Sequence, residues 1–438
     1  MVDNPVTTAR ISLWGKSVGA VSWMPDQGFA IFEYEPSFTN LGWNLSPIHM
    51  PLAQTVQDNR VFEFPQLNHQ TYKGLPGLLA DSLPDKFGNQ VINAWLARMG
   101  RTEGSFSPVE RLCYTGSRAM GALEFSPIIN GGREKSVPVE IQHLVMLAQE
   151  ITDARKDLDV ALNGDKHDDD ALLDILRVGT SAGGARPKAI IAMNSEGHVL
   201  SGQVDAPNDY DHWLLKFDGV NDLELGAPRS YGRIEYAYYL MALAAGVEMS
   251  ECRLLEENGR AHFMTKRFDR QAGKKLHMQS LCGIAHYDFN QAGGYSYEQA
   301  FSVMRQLRLS KREAEQQFRR MLFNVLARNQ DDHTKNIGFL MDEAGEWSLS
   351  PAYDMTYAHN PAGVWTSQHQ MSVNGKRDEF VLDDFIQVGE SISLKKTIVI
   401  VNEVQAAITE WRGFAEQAGL TGDQIDAIGV GHRNFIEK

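Results

Sequence analysis

The periodicity of the chain changes along its length, and that change limits the folds open to it. The first stretch alternates apolar and polar residues: "ARISLWGKSVGAVSWM" reads as two strands around Gly15-Lys16-Ser17, and "FAIFEYEPSF" as a third. Gly74 to Met99 carries a helical period, with Leu78, Leu79, Leu83, Phe87, Val91, Ile92 and Trp95 three and four apart, broken near Pro84. "MGALEFSPI" is a strand, "VPVEIQHLVMLAQEITDARK" an amphipathic helix, and "KAIIAM", "HVLSGQ" and "HWLLKF" are strands again. After a helix from Tyr231 to Ala245, "CRLLEE" and "AHFMTKRF" flank Asn258-Gly259, a strong hairpin signal. From about Ser296 the chain is mainly helical, with capping boxes at Ser310/Glu313 and Thr421/Gln424 and one inserted hairpin, "IGFLMDEAGEWSLSPAYD". A β-rich half followed by a helical half predicts an α+β, bilobal molecule.

Composition narrows the function classes. The 438 residues are 43% hydrophobic and 22% charged, which suits a soluble chain with a sizeable core. No apolar run reaches the ~18 residues that span a bilayer, so no membrane association is expected. Three scattered cysteines without a CxxC pair argue against a disulfide framework or zinc site and fit a reducing cytoplasm, and no secretion signal is evident. A net charge of −14 repels nucleic acid, so DNA would be reached mainly through a basic partner.

The chemistry concentrates in two places. "VGTSAGGARPKAII", Val178 to Ile191, contains G-x-S-x-G around Ser181, which opens three readings. A hydrolase nucleophile elbow needs a strand before the serine and a helix after it; here a helix-like "ALLDILRV" precedes and a strand-like "KAIIAM" follows. A Walker loop needs Lys and Ser or Thr where Ala185-Arg186 stand. A glycine-rich loop over nucleotide phosphates asks only for small residues and nearby cations, which Gly183, Gly184, Arg186 and Lys188 supply. The second place is "DDHTKN". Asp331 and Asn336 have the D-x-x-x-x-N spacing of kinase catalytic loops, where a carboxylate takes the hydroxyl proton and an amide oxygen binds Mg²⁺. Asp354 in "PAYD", after the hairpin, is a second candidate magnesium ligand. Lys216 in "HWLLKFD" lies among apolar residues, where a phosphate would satisfy its ammonium. Asp332 reads as a surface charge, and His333 as a structural histidine with no proton-transfer role.

"GTSAGGARPKA", "LLKF", "KRFDR", "DDHTKN" and "SPAYD" in this order, with "SLWGKSVGAVSW", "FEYEPSF", "GLLADSLPD" and "MGALEF" before them, resemble the HipA-type toxin serine/threonine kinases of type II toxin–antitoxin systems. The resemblance implies a protein-kinase-like (HipA-like) fold: a β-rich N-terminal domain over 1–132, a central part of the kinase core with glycine-rich loop and hinge over 133–275, and a mainly helical C-terminal lobe over 276–438. It implies that Asp331 is the catalytic aspartate and that Asn336 and Asp354 bind Mg²⁺. ATP would be contacted by Gly183, Gly184, Ala185, Arg186, Lys188 and Lys216, by a hinge at Lys266, Arg267 and Phe268, and by His333, Lys335, Asn336, Tyr353 and Asp354. Ser181 would be an autophosphorylation site whose charge shuts the enzyme down. A small helix-turn-helix antitoxin (HipB-like), operator DNA bound through their complex, and an aminoacyl-tRNA synthetase substrate such as glutamyl-tRNA synthetase are the implied partners. A catalytically silent antitoxin- and DNA-binding module and a G-x-S-x-G serine hydrolase are the competing readings.

Overall fold

The computed structural model describes residues 5–53, 60–98, 100–129, 136–153, 186–202, 206–219, 230–271 and 273–435. Ser181, Gly183, Gly184 and Ala185 lie outside the described residues. The chain divides into two compact units: Met1–Arg229 with Leu255–Met278 and Asp342–Gly345, and Ser230–Leu254 with Gln279–Met341 and Glu346–Lys438.

The first unit is built on two five-stranded sheets. In the N-terminal sheet β1 (Thr8–Leu13), β2 (Lys16–Met24), β3 (Phe29–Tyr34), β4 (Val61–Glu63) and β5 (Leu123–Ser126) run in the order β4-β3-β2-β1-β5. The first hairpin turns at Trp14-Gly15, a residue earlier than the sequence suggested, because both carry the positive φ that a tight two-residue turn needs (48° and 74°). Gly19 lies so close to β3 that a Cβ there would fall 2.1 Å from the Glu33 carbonyl oxygen. The second sheet orders β6 (Lys188–Asn194), β7 (Val199–Ser201), β8 (Tyr210–Lys216), β9 (Cys252–Glu257) and β10 (Arg260–Lys266) as β7-β6-β8-β10-β9. Asn258 and Gly259 turn its last hairpin at positive φ.

The helical stretch after Gly74 breaks where Pro84 requires it, into α1 (Gly77–Ala80) and α2 (Lys86–Arg98). α3 (Pro108–Thr115) is opened by a capping box, Ser107 with Glu110, and α4 (Ile141–Asp153) follows. Phe87, Val91, Ile92 and Leu96 of α2 and Leu144, Val145 and Ala148 of α4 share a core with Ala189, Ile191, Trp213 and Leu215 of the second sheet. The spacing of three and four along α2 is therefore the face turned to that sheet.

The second unit is mainly helical: α5 (Tyr231–Ala244), α6 (Tyr297–Gln306), α7 (Lys311–Leu326), α8 (Leu382–Ser391), α9 (Thr397–Thr409), α10 (Trp411–Gln417) and α11 (Gly422–Gly429). Capping boxes start α6 (Ser296/Gln299), α7 (Ser310/Glu313) and α11 (Thr421/Gln424). Phe318, Met321, Leu322 and Val325 of α7 are all buried. The apolar run "TIVIVNEVQAAITEWRGF" forms two helices, parted at Glu410, so that the buried Trp411 donates its Nε1–H to Ile425 O at 2.9 Å. Within the first unit the chain also forms a two-stranded ribbon, β11 (Arg270–Gln271) with β12 (Lys274–Lys275). A three-stranded sheet follows: β13 (His277–Ser280), β14 (Gly338–Met341) and β15 (Trp347–Leu349). All three cysteines are free and buried. Among the described residues no helix is long and apolar enough to cross a membrane.

Candidate active site

The D-x-x-x-x-N segment leaves α7 through Arg328, which takes a positive φ of 58°. It then runs beside the chain near Ala358, with Ala358 N donating to Arg328 O and Gln330 N to Ala358 O, both at 3.1 Å. A short 3₁₀ turn over Thr334–Asn336 closes the segment. That turn explains the spacing: Asn336 folds back so that its Nδ2 donates to Asp331 O at 2.8 Å, while His333 N donates to the same carbonyl at 3.0 Å. Thr334 Oγ1 donates to Tyr287 O at 2.6 Å and fixes the turn from outside. The Asp331 side chain stays 44% exposed, and its Oδ1 accepts a 2.6 Å hydrogen bond from the Trp365 indole N–H. His333 Nε2 is 3.8 Å from the same oxygen, and its ring lies 5.4 Å from that of Phe289.

Asp332 is not the surface charge the sequence suggested. Its side chain is 1% exposed and accepts from Tyr297 O–H at 2.8 Å, from Gln370 N–H at 2.8 Å and from His369 Nδ1 at 2.9 Å. Burial alone would raise its pKa, but His369 and these hydrogen bonds hold it below the usual carboxylate range. His369 Nε2 lies 3.0 Å from Arg433 Nη1, so the network ends on a cation.

The "SPAYD" segment is tied to the same loop. Tyr353 O–H donates to Lys335 O at 2.6 Å, and Asn329 Nδ2 reaches Asp354 O at 3.4 Å. Asp354 sits at φ 53°, in the left-handed region that non-glycine residues seldom occupy and that is concentrated at functional sites. Lys335 Nζ lies 4.8 Å from the Phe289 ring centroid. The donor set suits magnesium: one carboxylate at Asp354 and one neutral amide at Asn336, whose nitrogen end is already committed to Asp331.

The described candidate nucleotide residues of the first unit lie on the second sheet or within two residues of its strands. Lys188 and Lys216 are direct cross-strand partners on β6 and β8. Like charges in that register repel, and a carboxylate offsets part of this: Lys188 Nζ is 3.0 Å from Asp85 Oδ2, with both side chains buried. Lys216 Nζ lies 5.7 Å from the centroid of the Phe263 ring. Lys266 pairs with Asp211 at 2.7 Å at the surface. The Arg267 guanidinium is buried, with Nε 2.8 Å and Nη2 2.6 Å from the Asp269 carboxylate, and the Arg267 backbone N–H donates to His212 O at 2.9 Å. Asp269 also accepts from Arg270 and from Gly121 N–H, each at 2.7 Å. Against the upward push of burial, the two guanidiniums hold its carboxyl far below the usual range. Phe268 O accepts from Gln271 Nε2 at 3.3 Å, and Arg186 is half-buried ahead of β6. The chain leaving the Ser181 region is a strand, β6, whereas a nucleophile elbow is followed by a helix.

Trp365, Tyr297, His369 and Gln370 were not marked by the sequence. They follow no spacing rule, and only the fold brings them to the two aspartates.

The model of the HipA-like C-terminal domain matches residues 180–412, more than half of the chain, and that of the HipA N-terminal domain matches residues 9–126. A candidate kinase of Haemophilus influenzae is 23% identical over 264 residues, which span 53% of this chain and 73% of that protein. The candidate kinase Y4mE of Sinorhizobium fredii is 27% identical over 138 residues, 28% of this chain and 32% of that one. Among solved structures, a chain of the Shewanella oneidensis MR-1 toxin–antitoxin complex of HipA, HipB and operator DNA superposes with a TM-score of 0.65 at 16% identity. The match covers 96% of this chain and 95% of that one. That likeness establishes the fold: α+β and kinase-like, with a β-rich N-terminal region and a helical C-terminal region.

Proposed function

The chain belongs to the HipA family, and from that premise we propose that it is a Mg²⁺-ATP-dependent protein serine/threonine kinase acting as the toxin of a toxin–antitoxin pair. The observation that carries this reading is the tie between the two acidic motifs. Asn336 is folded onto Asp331, and Tyr353 binds the Asp354 segment to Lys335 of the same loop. In the proposed step a substrate hydroxyl oxygen attacks the γ-phosphorus of ATP, its proton passes to the Asp331 carboxylate, and the bond to the β–γ bridging oxygen breaks to release ADP. Asp331 suits that role because its carboxylate is solvent-accessible. Asn336 and Asp354 would hold Mg²⁺, which when bound neutralises phosphate charge. Lys188 and Lys216, opposed across β6 and β8, would favour an anion beside them, and the ATP phosphates are that anion in this reading.

Gly183, Gly184, Ala185 and Arg186 would cover the phosphates, and Lys266, Arg267 and Phe268 would line the adenine. His333, Lys335 and Tyr353 would complete the nucleotide contacts. Ser181 is proposed as an autophosphorylation site, where ~1.5–2 added negative charges would oppose ATP binding. The family reading further proposes a HipB-like antitoxin, operator DNA reached through that complex, and an aminoacyl-tRNA synthetase, glutamyl-tRNA synthetase among them, as substrate. A cytoplasmic setting goes with these partners.

Intact mass after incubation of dephosphorylated protein with Mg²⁺-ATP tests the reading. A phosphate-sized gain that is lost in Ser181→Ala and blocked in Asp331→Asn is expected. No gain together with no nucleotide binding would leave only a silent antitoxin-binding module, and a fluorophosphonate adduct on Ser181 would restore the hydrolase.

A further inference from the structure

We propose that Trp365 is a positioning residue for phosphoryl transfer, holding the Asp331 carboxylate in its working orientation through the indole N–H. The inference rests on Asp331 being the proton acceptor. Three observations lead to it. The hydrogen bond from Trp365 Nε1 to Asp331 Oδ1 is short, 2.6 Å, and comes from an uncharged donor. The Asp331 side chain nevertheless remains 44% exposed, so the indole orients the carboxylate without covering it. Trp365 is itself held from the neighbouring aspartate: the Gln370 side-chain amide donates to Trp365 O, and Gln370 N–H donates to Asp332 Oδ1 at 2.8 Å. The hydrogen bonds thus form a closed circuit, Asp331 to Trp365 to Gln370 to Asp332, and the two aspartates are consecutive in the chain.

This circuit has a directional consequence. The proton acceptor must stand within hydrogen-bond reach of the incoming hydroxyl, and a carboxylate free to rotate spends part of its time misaligned. With Oδ1 engaged by the indole, Oδ2 is assigned to the substrate proton. The loop that carries Trp365 is a closed turn of its own, with Asn360 N donating to Thr366 O at 3.2 Å and Gly363 N to Asn360 O at 2.9 Å. His333 Nε2 stands 3.8 Å from Asp331 Oδ1 and Asp332 is its chain neighbour, and Trp365→Phe leaves both in place.

The test compares wild type, Trp365→Phe and Asp331→Asn as full chains. Trp365→Phe keeps an aromatic ring and deletes the donor; kcat should fall roughly 10-fold while KM for ATP stays within about twofold, the mark of a group acting on the chemical step. An unchanged kcat in Trp365→Phe beside a silent Asp331→Asn would overturn the inference and leave the kinase reading standing. Wild-type activity in Asp331→Asn would instead remove the reading and the inference together. A second readout does not depend on turnover: in ¹⁵N-labelled protein the Trp365 indole N–H resonance, identified by its absence from Trp365→Phe, should move in Asp331→Asn. An indole resonance unmoved by Asp331→Asn would show that the hydrogen bond is absent and refute the proposal.

Discussion

The basic side chains of the β-rich unit and the acidic side chains of the helical unit are held in opposite ways. Lys188, Lys266 and Arg267 each meet a carboxylate of their own unit, at Asp85, Asp211 and Asp269. Part of their charge is balanced before any ligand arrives, and that part serves the fold. In the helical unit two consecutive aspartates divide the work. Asp332 is buried and takes three hydrogen bonds, whereas Asp331 keeps an exposed carboxylate held by a neutral indole. Charge absorbed by the fold gives shape; charge steered by uncharged donors stays available for chemistry.

Five measurements put that contrast at risk. The largest effect is expected for Asp331→Asn, which should lower phosphoryl transfer by about 100- to 10 000-fold with little change in melting temperature. Its neighbour should behave in reverse: Asp332→Ala strands Tyr297 O–H, Gln370 N–H and His369 in the interior and should cost ~3–5 kcal/mol in a denaturant melt. Should Asp332→Ala melt like wild type, the division between the two aspartates fails. In the first unit Lys188→Met leaves Asp85 buried without its cation, and a loss of about 3 kcal/mol is expected by the same measurement.

Acid should weaken both units. Burial lowers the pKa of His277 in the first unit to about 3; in the second, burial and the nearby Arg328 cation lower that of His432 to about 4. Both are neutral in the native state, while the unfolded chain protonates them below about pH 6.5. Their contribution is therefore complete above pH 6.5 and declines as the pH falls toward 4, and melting temperature followed over that window in His432→Gln should fall less steeply than in wild type. The smallest effect belongs to Lys266→Ala, whose partly exposed pair with Asp211 should change stability by less than ~1 kcal/mol. A loss as large as that of Lys188→Met would erase the distinction drawn between buried and surface pairs.

What could be read from the sequence was what short-range physics decides. Asn258-Gly259 declared a hairpin because few residues accept positive φ, Pro84 broke a helix, and Ser310/Glu313 and Thr421/Gln424 marked helix starts by satisfying their first N–H groups. The Asp331–Asn336 spacing was legible for the same reason, since one 3₁₀ turn joins the two residues. Long-range contacts were not legible. Asp332 looked like a surface charge because its partners Tyr297, His369 and Gln370 stand 35 to 38 positions away. Trp365, 34 positions from Asp331, belongs to no motif. The parting of α9 and α10 depended on where Trp411 finds Ile425, which no local propensity records.

The buried cysteines have a practical consequence. Cys113, Cys252 and Cys282 are the chain's whole complement of thiols, none faces solvent, and burial pushes Cys113 up to about 12, away from the reactive thiolate. A maleimide dye therefore has no native site to compete with an introduced one. Val364 is fully exposed and adjoins Trp365, so a Val364→Cys chain would carry a single fluorescent reporter on the loop that holds the Asp331 carboxylate. Nucleotide, antitoxin and substrate could then each be titrated against one optical signal without first removing any cysteine.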